Sequence, residues 1–445
     1  MRQELKHKRS LNAKHFDNGD GTFAMEAHIG HIHYKDRQTG KFENCDIKFR
    51  EENGEFIVDK ASYEIKVPKK LNKVKFWVNG KEMDITPIGI KSNVEGKIVD
   101  DPETGHKGNV IRFDNVYGQG IHLEFVCRTG SVKKYIVFDQ KPDKFDWKFK
   151  LDGYNKDKHI LWKPRIFDSN NKSQNIEYDI KGNILTKHLP EKFFDDAVYP
   201  VRTDTTTSFY AGAGDGFVGY HEDADPPSQA AWDTAHDTGT GTVAAYESTA
   251  SDMGIYIYGA SFDFVKIYRG FFPIDTSGLG STAEISAAIL KVYLAITVKD
   301  NYNGDGFDYI SVVKTFQAST SELVTADYED CGYGDSGDAG GHASDANIVK
   351  GSADFDVSGF STIAYNDLTL NATGRGWISK TGTTKIGLRE GHDIEDDFPG
   401  DPGEALNRET ITPKLSETAD TSNDPYLSIT YTAGETSTGM FAMFN

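Results

Sequence analysis

The sequence is dominated by short segments in which apolar and polar residues alternate, a period that indicates β-strands rather than helices. In the segment 74–78, Val74, Phe76 and Val78 fall on one face of a strand, and Lys75 and Trp77 fall on the other. The other segments of this kind are Thr22–Ile29, Glu55–Val58, Tyr63–Val67, Ile121–Val126, Lys134–Phe138, Tyr309–Val313, Thr384–Arg389 and Tyr426–Tyr431. Gly- and Asn-containing turns separate them, so the pattern predicts an all-β chain built as β-sandwiches.

Local signals refine this prediction at three places. Asn79-Gly80 predicts a tight hairpin that joins the segment 74–78 to Lys81–Ile85. Ala287–Val298 reads as one long strand, with Leu290, Val292, Leu294 and Ile296 in phase. Thr373–Ser379 is the one stretch with helical character, and its glycines keep it short.

Charge divides the chain into two parts. Residues 1–200 hold 36 Lys and Arg against 31 Asp and Glu, whereas residues 201–445 hold 13 against 37, so their net charges are +5 and −24. Such different surfaces indicate two domains. We predict a basic N-terminal arm at 1–15, a β-sandwich module at 16–203, a second module at 204–433 and an apolar tail at 434–445.

Composition excludes several classes of protein. The net charge of −19 disfavours nucleic acid as a partner. No run approaches the roughly 20 apolar residues of a membrane helix, so we expect no membrane partner. Three cysteines are too few for a disulfide framework, and the first residues lack the apolar stretch of a secretion signal, so we expect synthesis in a cytoplasm.

Scattered patches of the first half resemble a known β module. They are Phe16–Phe23, Gly30–Asp36, Trp162–Ser169, Leu189–Phe193 and Ala197–Val201. The module that they resemble occurs at the N-terminus of large bacterial wall-associated proteins and in phage structural proteins.

The second half resembles the jelly-roll modules called DNRLRE domains, which are similar to carbohydrate-binding domains. The resemblance is carried by the phased strand from residue 287, Phe355–Val357, Leu368–Leu370, Gly376-Trp377 and Leu388–Glu390. In this chain the signature survives only as Leu388-Arg389-Glu390. The resemblance therefore implies that the second sandwich is jelly-roll-like.

Together these resemblances imply attachment or surface structure. Because a wall-associated protein should carry a secretion signal and further repeats, and neither is seen here, we expect a structural virion protein of a bacteriophage, as a head decoration, tail or fibre component. Its partners would be other virion proteins, further copies of itself and host surface polysaccharide. The alternative is a secreted carbohydrate-binding or adhesin-type cell-surface protein. We expect no enzymatic activity. A glycan-cleaving enzyme is the remote third possibility, with Glu390, Asp393, Glu395, Asp396 and Asp397 as the acids to consider.

Aromatic residues among Gly, Ala and Asp supply the candidate contact residues. Flat rings beside carboxylates suit stacking against sugar faces, and the same rings suit contacts with a protein partner. The candidates are Tyr210, Tyr220, Trp232, Tyr246, Tyr256 and Tyr258. Tyr256 and Tyr258 alternate, which predicts that they share one face of a strand.

The two ends of the chain supply candidate assembly contacts. The cationic candidates are Arg2, Lys6, Lys8 and Arg9, and the apolar candidates are Met440, Phe441, Met443 and Phe444. Each of the apolar side chains would contribute about 1.5–3 kcal/mol if a neighbouring copy buried it. Two frayed tails are the alternative interpretation.

One loop resembles the front half of a calcium loop. Asn301, Asn303 and Asp305 place oxygen atoms at positions 1, 3 and 5, before Gly306. Val312 stands where such a loop has its bidentate Glu, and Asp308 or Asp300 would have to replace that ligand. A structural calcium ion bound by Asn301, Asn303, Asp305 and Asp308 is therefore one prediction, and a plain polar β-turn is the other.

Overall fold

The fold is described from a computed structural model of the chain. The description covers residues 1–78, 81–154, 160–161, 164–170, 172–203, 206–208, 214–246, 250–259, 263–296, 298–332, 348–403, 405–416 and 423–433. The candidates Tyr210, Met440, Phe441, Met443 and Phe444 lie outside the described residues, as does the Asn79-Gly80 pair.

The described residues are mostly β, as the alternating pattern predicts. The strands of the first half are β1 (Gln3–Glu4), β2 (Ala13–Asp17), β3 (Phe23–His28), β4 (His33–Lys35), β5 (Phe42–Asn44), β6 (Arg50–Glu52), β7 (Glu55–Val58), β8 (Tyr63–Pro68), β9 (Val74–Val78), β10 (Lys81–Pro87), β11 (Gly96–Val99), β12 (Val110–Gly118), β13 (Ile121–Cys127), β14 (Ser131–Phe138), β15 (Asp146–Asp152), β16 (Ile160–Leu161), β17 (Arg165–Phe167), β18 (Ser173–Asn175), β19 (Glu177–Lys181), β20 (Ile184–His188), β21 (Val201–Thr203) and β22 (Thr206–Ser208). The strands of the second half are β23 (Gly216–Asp223), β24 (Val243–Ala245), β25 (Met253–Tyr258), β26 (Phe264–Asp275), β27 (Glu284–Tyr293), β28 (Lys299–Asp300), β29 (Tyr309–Lys314), β30 (Phe355–Asp356), β31 (Tyr365–Thr369), β32 (Thr383–Glu390), β33 (Leu406–Ile411) and β34 (Tyr426–Thr432).

Helices are few and short in this part of the chain. The α-helices are α1 (Gln229–Asp237), α2 (Ala372–Gly376) and α3 (Gly391–Glu395). Single 3-10 turns are formed by Lys6–Lys8, Glu191–Asp195, Ser277–Leu279, Thr325–Tyr328 and Val357–Gly359. None of the helices within the described ranges has the length and apolar composition needed to cross a membrane.

The chain divides into two units, but not at the boundaries predicted from charge. Residues 1–30 belong with residues 213–418 and 422–445, and residues 31–212 with 419–421 form the other unit. The cause is strand pairing, because β3 lies antiparallel to β34 with Met25 opposite Ile429. Residues 1–15 are therefore not an arm but contribute β1 and β2 to that sheet, and the module predicted to begin at residue 16 begins at about residue 31.

The unit of residues 31–212 is a β-sandwich. One sheet has the strand order β19-β20-β15-β10-β9-β8-β7-β6, and the other has the order β11-β12-β13-β14-β21-β17-β18. In the second sheet β22 also pairs with β14, and β16 pairs with β22. Phe76 and Trp147 from the first sheet and Phe113 and Phe125 from the second share one apolar core. The predicted hairpin is confirmed by the pairing of β9 with β10, in which Lys81 lies opposite Val78.

The other unit is also a sandwich and is jelly-roll-like. Its first sheet has the order β1-β2-β3-β34-β27-β31, and its second has the order β28-β33-β25-β26-β32-β29-β30, with β23 and β24 beside β26. From β26 onward the chain passes repeatedly between the two sheets, as it does in a jelly roll. Leu290 and Ile429 of the first sheet pack with Phe272, Val312 and Ile386 of the second.

The long strand predicted at Ala287–Val298 is shorter in the structure, because β27 ends at Tyr293. Leu294 is still buried and forms a single bridge with Pro413, whereas Ile296 is 56% exposed. The Lys414 N–H donates to the Tyr293 carbonyl and the Ala295 N–H donates to the Thr412 carbonyl, both at 2.8 Å. The chain after β27 therefore pairs here with the segment that follows β33, because β34 begins opposite Lys291.

A second, smaller core covers the outer side of the second sheet. Ile255 and Ile267 of the sheet pack there against Trp232 of α1 and Tyr328 of the turn 325–328. Sequence analysis missed α1, whose Ser228 caps the helix by accepting a hydrogen bond from the Ala231 N–H at 3.3 Å. The signal was present, because Ser after two prolines is a typical helix start.

Candidate binding face and ion sites

Three neighbouring strands bring aromatic and cationic side chains to one face of the second sheet. Across the β25/β26 ladder, Tyr256 lies opposite Lys266 and Tyr258 opposite Phe264; across the β25/β33 ladder, Tyr256 also lies opposite Arg408. Residues opposite each other in an antiparallel ladder share a face. We call this group the aromatic face, and it consists of Tyr256, Tyr258, Phe264, Lys266, Tyr268 and Arg408. The prediction that Tyr256 and Tyr258 share a face is confirmed.

The side chains of the aromatic face contact one another. The ring centroids of Tyr258 and Phe264 are 5.4 Å apart, as are those of Tyr256 and Tyr268. Lys266 Nζ lies 4.0 Å from the centroid of Phe264, and the Arg408 guanidinium carbon lies 5.4 Å from that of Tyr256. Such contacts hold cations over ring faces.

The aromatic face is partly accessible. Tyr256 is 9% exposed, and its hydroxyl donates a hydrogen bond to Asp252, while the other five side chains are half-buried. Burial lowers the pKa of Lys266 and raises that of Tyr268 to about 12, so at neutral pH the phenol stays neutral. The face therefore combines flat apolar rings with cations, a set suited to sugar rings that carry polar or anionic groups.

Three of the aromatic candidates lie elsewhere. Trp232 is fully buried, and its Nε1 donates to Asp396 Oδ1 at 2.9 Å, so the expectation that it contacts a glycan is corrected. Tyr220 and Tyr246 are half-buried against the same small core. Tyr220 lies opposite Ile267, which places it on the other side of the sheet from Lys266.

Two of the cationic side chains near the N-terminus contact side chains of the sheet that contains β1, β2 and β3. Arg2 Nη2 lies 2.7 Å from Glu26 Oε1, and its guanidinium lies 3.8 Å from the centroid of Phe16. The Arg9 side chain is 5% exposed and binds Glu4. These pairings correct the expectation of a cationic arm free to reach a neighbour.

Of the other two cations, Lys8 places Nζ 5.1 Å from the Phe23 centroid, and Lys6 is exposed in the 3-10 turn that follows β1.

A buried ion cluster lies beneath the small core. The Asp393 carboxylate is held between two guanidiniums, with Arg269 Nη2 2.7 Å from Oδ1 and Arg389 Nε 2.7 Å from Oδ2. All three side chains are 1% exposed or less. Burial alone would raise the pKa of Asp393, but the two guanidiniums hold it well below its usual range. Asp393 is therefore a structural anion rather than a solvent-facing acid.

Three of the other acids considered for hydrolysis are also engaged. Glu390 Oε1 lies 2.6 Å from His392 Nδ1, and Glu395 Oε1 accepts a hydrogen bond from the Tyr309 hydroxyl at 2.9 Å. Asp396 accepts from Trp232, as described above. Glu390 Oε2 also accepts from the Asp393 N–H at 3.2 Å, so these carboxylates are engaged in contacts within the fold.

The C-terminal end of α1 could hold a metal ion. One ligand atom each from His236, Asp237 and Asp396 lies within 4.8 Å of the other two. His236 Nε2 lies 2.9 Å from the Asp393 carbonyl oxygen, which can only accept, and Nδ1 lies 2.8 Å from Asp237 Oδ1. With Nε2 donating to that carbonyl, Nδ1 and Asp237 Oδ1 face each other as two ligand atoms for a divalent cation.

The predicted calcium ligands are engaged within their own loop. Asn301 Oδ1 accepts from the Arg408 N–H at 2.9 Å, and Asn303 Nδ2 donates to Asp300 Oδ2 at 2.7 Å. Asp308 Oδ2 accepts from the Gly304 N–H at 2.6 Å.

Asp305, the fourth predicted ligand, binds away from the other three. Its Oδ1 accepts from the Phe307 N–H at 2.9 Å, and its Oδ2 lies 3.1 Å from His392 Nε2. These contacts correspond to the polar-turn alternative.

Glu409 is a residue near this loop that sequence analysis missed. It lies directly opposite Asp300 in the β28/β33 ladder and is fully buried. One carboxylate oxygen accepts from the Tyr302 N–H at 3.2 Å, and the other has no hydrogen-bond partner. Burial and the negative charges of Asp300, Glu390 and Asp308 raise the pKa of Glu409 to about 9. No local pattern joins residues 300 and 409, because only strand pairing brings them together.

The unit of residues 31–212 has a polar depression of about 230 Å³. Its charged lining includes Arg37, Asp59 and Glu64. Arg37 Nη1 lies 2.7 Å from Glu64 Oε2, and Arg50 binds Asp59 at 2.5 Å. Asp59 and Glu64 are each paired with an arginine, so these two carboxylates do not form an acid pair of the kind that hydrolysis of a glycan requires.

Comparison with known proteins identifies no family. No family model and no curated protein matches the chain. Among solved structures, the rhamnosidase from Novosphingobium sp. PP1Y is 10% identical, with 78% of this chain and 25% of that chain covered and a TM-score of 0.14. The N-terminal domain of the Streptococcus gordonii adhesin Sgo0707 is 8% identical, with 97% and 96% covered and a TM-score of 0.14. The chain thus spans a quarter of the rhamnosidase, and similarity this low leaves the chain without a family assignment.

Proposed function

We propose that this protein is a non-enzymatic structural component of a bacteriophage particle, and that its aromatic face contacts surface glycans. The observation that carries the proposal is the aromatic face itself, in which Tyr258 and Phe264 present adjoining rings beside Lys266 and Arg408. A ring covers the apolar C–H patch of a sugar, and the neighbouring cations suit its hydroxyl or carboxylate groups.

The architecture supports a role in assembly. Each unit has its own apolar core, so the side chains outside these cores are left for contacts with other molecules. The two parts of the sequence also differ strongly in charge, with a net of +5 for residues 1–200 and −24 for residues 201–445. Complementary charges on two copies favour their association. They determine the relative orientation of the copies more than the affinity between them.

The first experiment asks where the protein is. Purified phage particles are analysed by mass spectrometry and by electron cryo-microscopy. We expect the chain at a copy number that fits a symmetry of the particle. A protein found only in the secreted fraction or on the cell surface would contradict the virion proposal and favour the carbohydrate-binding or adhesin alternative.

The second experiment tests the aromatic face. Binding to a glycan array is compared for the wild type, Tyr258→Ala, Lys266→Gln and the control Tyr34→Ala, which changes a half-buried tyrosine of the other unit. We expect the first two substitutions to weaken binding and the control to leave it unchanged. Equal binding by all four proteins would refute the glycan proposal, and turnover of an oligosaccharide would refute the non-enzymatic one.

A further inference from the structure

We propose that Asp300 and Glu409 form a calcium-binding site at the β28/β33 edge of the second sheet. The site uses none of the four ligands that the sequence predicts, although the sequence offers Asp300 there as a replacement ligand, and it is independent of the proposed function. It combines a fully buried carboxylate with a second acid directly opposite it on the neighbouring strand.

The geometry leaves two carboxylate oxygens without partners. Asp300 and Glu409 are opposite residues of an antiparallel ladder, so their side chains project from the same face. Asp300 uses Oδ2 to accept from Asn303, and Glu409 uses Oε2 to accept from the Tyr302 N–H. Asp300 Oδ1 and Glu409 Oε1 are buried and have no hydrogen-bond partner. Buried polar atoms are normally satisfied, so these two oxygens indicate a missing ligand.

The surrounding charge favours a cation. Asp308 and Glu390 contribute to the negative potential at Glu409. The imidazole of His392 is already held between Glu390, at 2.6 Å, and Asp305, at 3.1 Å.

The cationic residue that precedes Glu409 in the sequence does not supply the missing charge. Arg408 precedes Glu409 and projects to the other face of the sheet, where it lies over Tyr256. A bound ion would therefore supply positive charge where the adjacent arginine does not.

The donor set indicates calcium among the common cations. Both unpartnered atoms are carboxylate oxygens, which are the hard ligands that Ca²⁺ prefers. Calcium accepts six to eight oxygens in irregular arrangements and takes the remainder from backbone carbonyls and water, whereas magnesium requires a smaller and nearly octahedral set. A polar loop beside one strand edge fits the irregular arrangement that calcium accepts better than the nearly octahedral set that magnesium requires.

The experiment compares calcium binding by the full-length wild type and matched variants after removal of metal with EDTA. Isothermal titration calorimetry with CaCl₂ measures affinity, and thermal unfolding with and without CaCl₂ measures the shift in Tm. We expect wild-type binding and a rise in Tm. Both should be lost or weakened about tenfold or more in Glu409→Gln and Asp300→Asn, because each removes a charged ligand. Asp233→Asn, which changes an exposed acid on α1, should behave as the wild type.

The main rival to the ion is a proton on Glu409. In that case the wild type shows no calcium heat and no Tm shift up to about 10⁻³ M, the weak end of known calcium sites, and Glu409→Gln is as stable as the wild type or more so. That result would overturn the proposal. An equal calcium response in the wild type and both variants would overturn it too, as would an equal Tm shift with MgCl₂. Asp300→Asn keeps the test decisive if Glu409→Gln fails to fold.

Discussion

Replacing Asp393 by asparagine should strongly destabilise the unit that contains the aromatic face. The substitution keeps the size of the side chain but removes the charge between Arg269 and Arg389, whose nitrogens lie 2.7 Å from its two oxygens. The three side chains are 1% exposed or less, so water cannot replace the lost carboxylate. Breaking a buried ion pair in this way costs about 3–5 kcal/mol. We expect a loss of that size in the free energy of unfolding, which is a large fraction of the roughly 5–15 kcal/mol that stabilises a typical domain.

Urea unfolding followed by tryptophan fluorescence measures this loss, because Trp232 and Trp377 lie in the same unit as Asp393. The matched control is Asp367→Asn, which removes the ion pair between Lys291 Nζ and Asp367 Oδ1 at 2.6 Å. Asp367 is 49% exposed, so its loss should cost less than about 1 kcal/mol. If Asp393→Asn costs no more than Asp367→Asn, the reasoning about burial is refuted.

The same carboxyl group predicts a pH dependence. Burial would raise the pKa of Asp393, but the two guanidiniums lower it far below the value of about 4 expected in the unfolded chain. A carboxyl whose pKa is lowered by folding stabilises the protein fully above its unfolded pKa. That contribution is lost as the pH falls below about 4 and towards the folded pKa. Asp393→Asn should flatten this acid limb of the stability curve.

Three further predictions concern other parts of the protein. Burial, with a smaller effect of Lys8, lowers the pKa of His15 from 6.5 to about 4. As the pH falls, the unfolded chain takes up a proton before the folded chain does, so the free energy of unfolding should fall between about pH 6.5 and 4, by at most about 3 kcal/mol. His15→Gln should remove that slope in urea titrations across this range. Trp147→Ala should cost about 3–5 kcal/mol in thermal or urea unfolding, because its ring is 1% exposed and lies 4.8 Å from that of Tyr117; a loss below about 1 kcal/mol would contradict the packing. Ser228→Ala should cost about 0.5–2 kcal/mol by removing the cap of α1, while Ser228→Asp, which can cap equally well, should restore most of it.

Several features of the fold could be read directly from the sequence. The alternation of Val74, Phe76 and Val78 predicts a strand, and the Asn-Gly pair that follows predicts the hairpin seen between β9 and β10. The alternation of Tyr256 and Tyr258 likewise predicts that they share a face. These features depend on neighbours in the chain, because a strand's period and a tight turn are set by local backbone geometry.

Other features depended on burial, which composition does not reveal. Trp232 has the sequence surroundings of an exposed contact residue, among Gly, Ala and Asp, yet it is fully buried between α1, to which it belongs, and the second sheet. The Ser228 cap predicts the helix start, but not the sheet that the helix covers. The N-terminal cations resemble a free arm by charge alone, whereas β1 and β2 are held in a sheet.

By itself, the sequence determined that this chain is all-β, where many of its strands lie, and that its two parts differ strongly in charge. Only the tertiary structure decided that β3 pairs with β34, that Arg269 and Arg389 enclose Asp393, and that Glu409 faces Asp300. The physical reason is that strand alternation is a local property of the backbone. Pairing between distant strands is instead selected by the free energy of the whole packed sheet, which no short segment encodes.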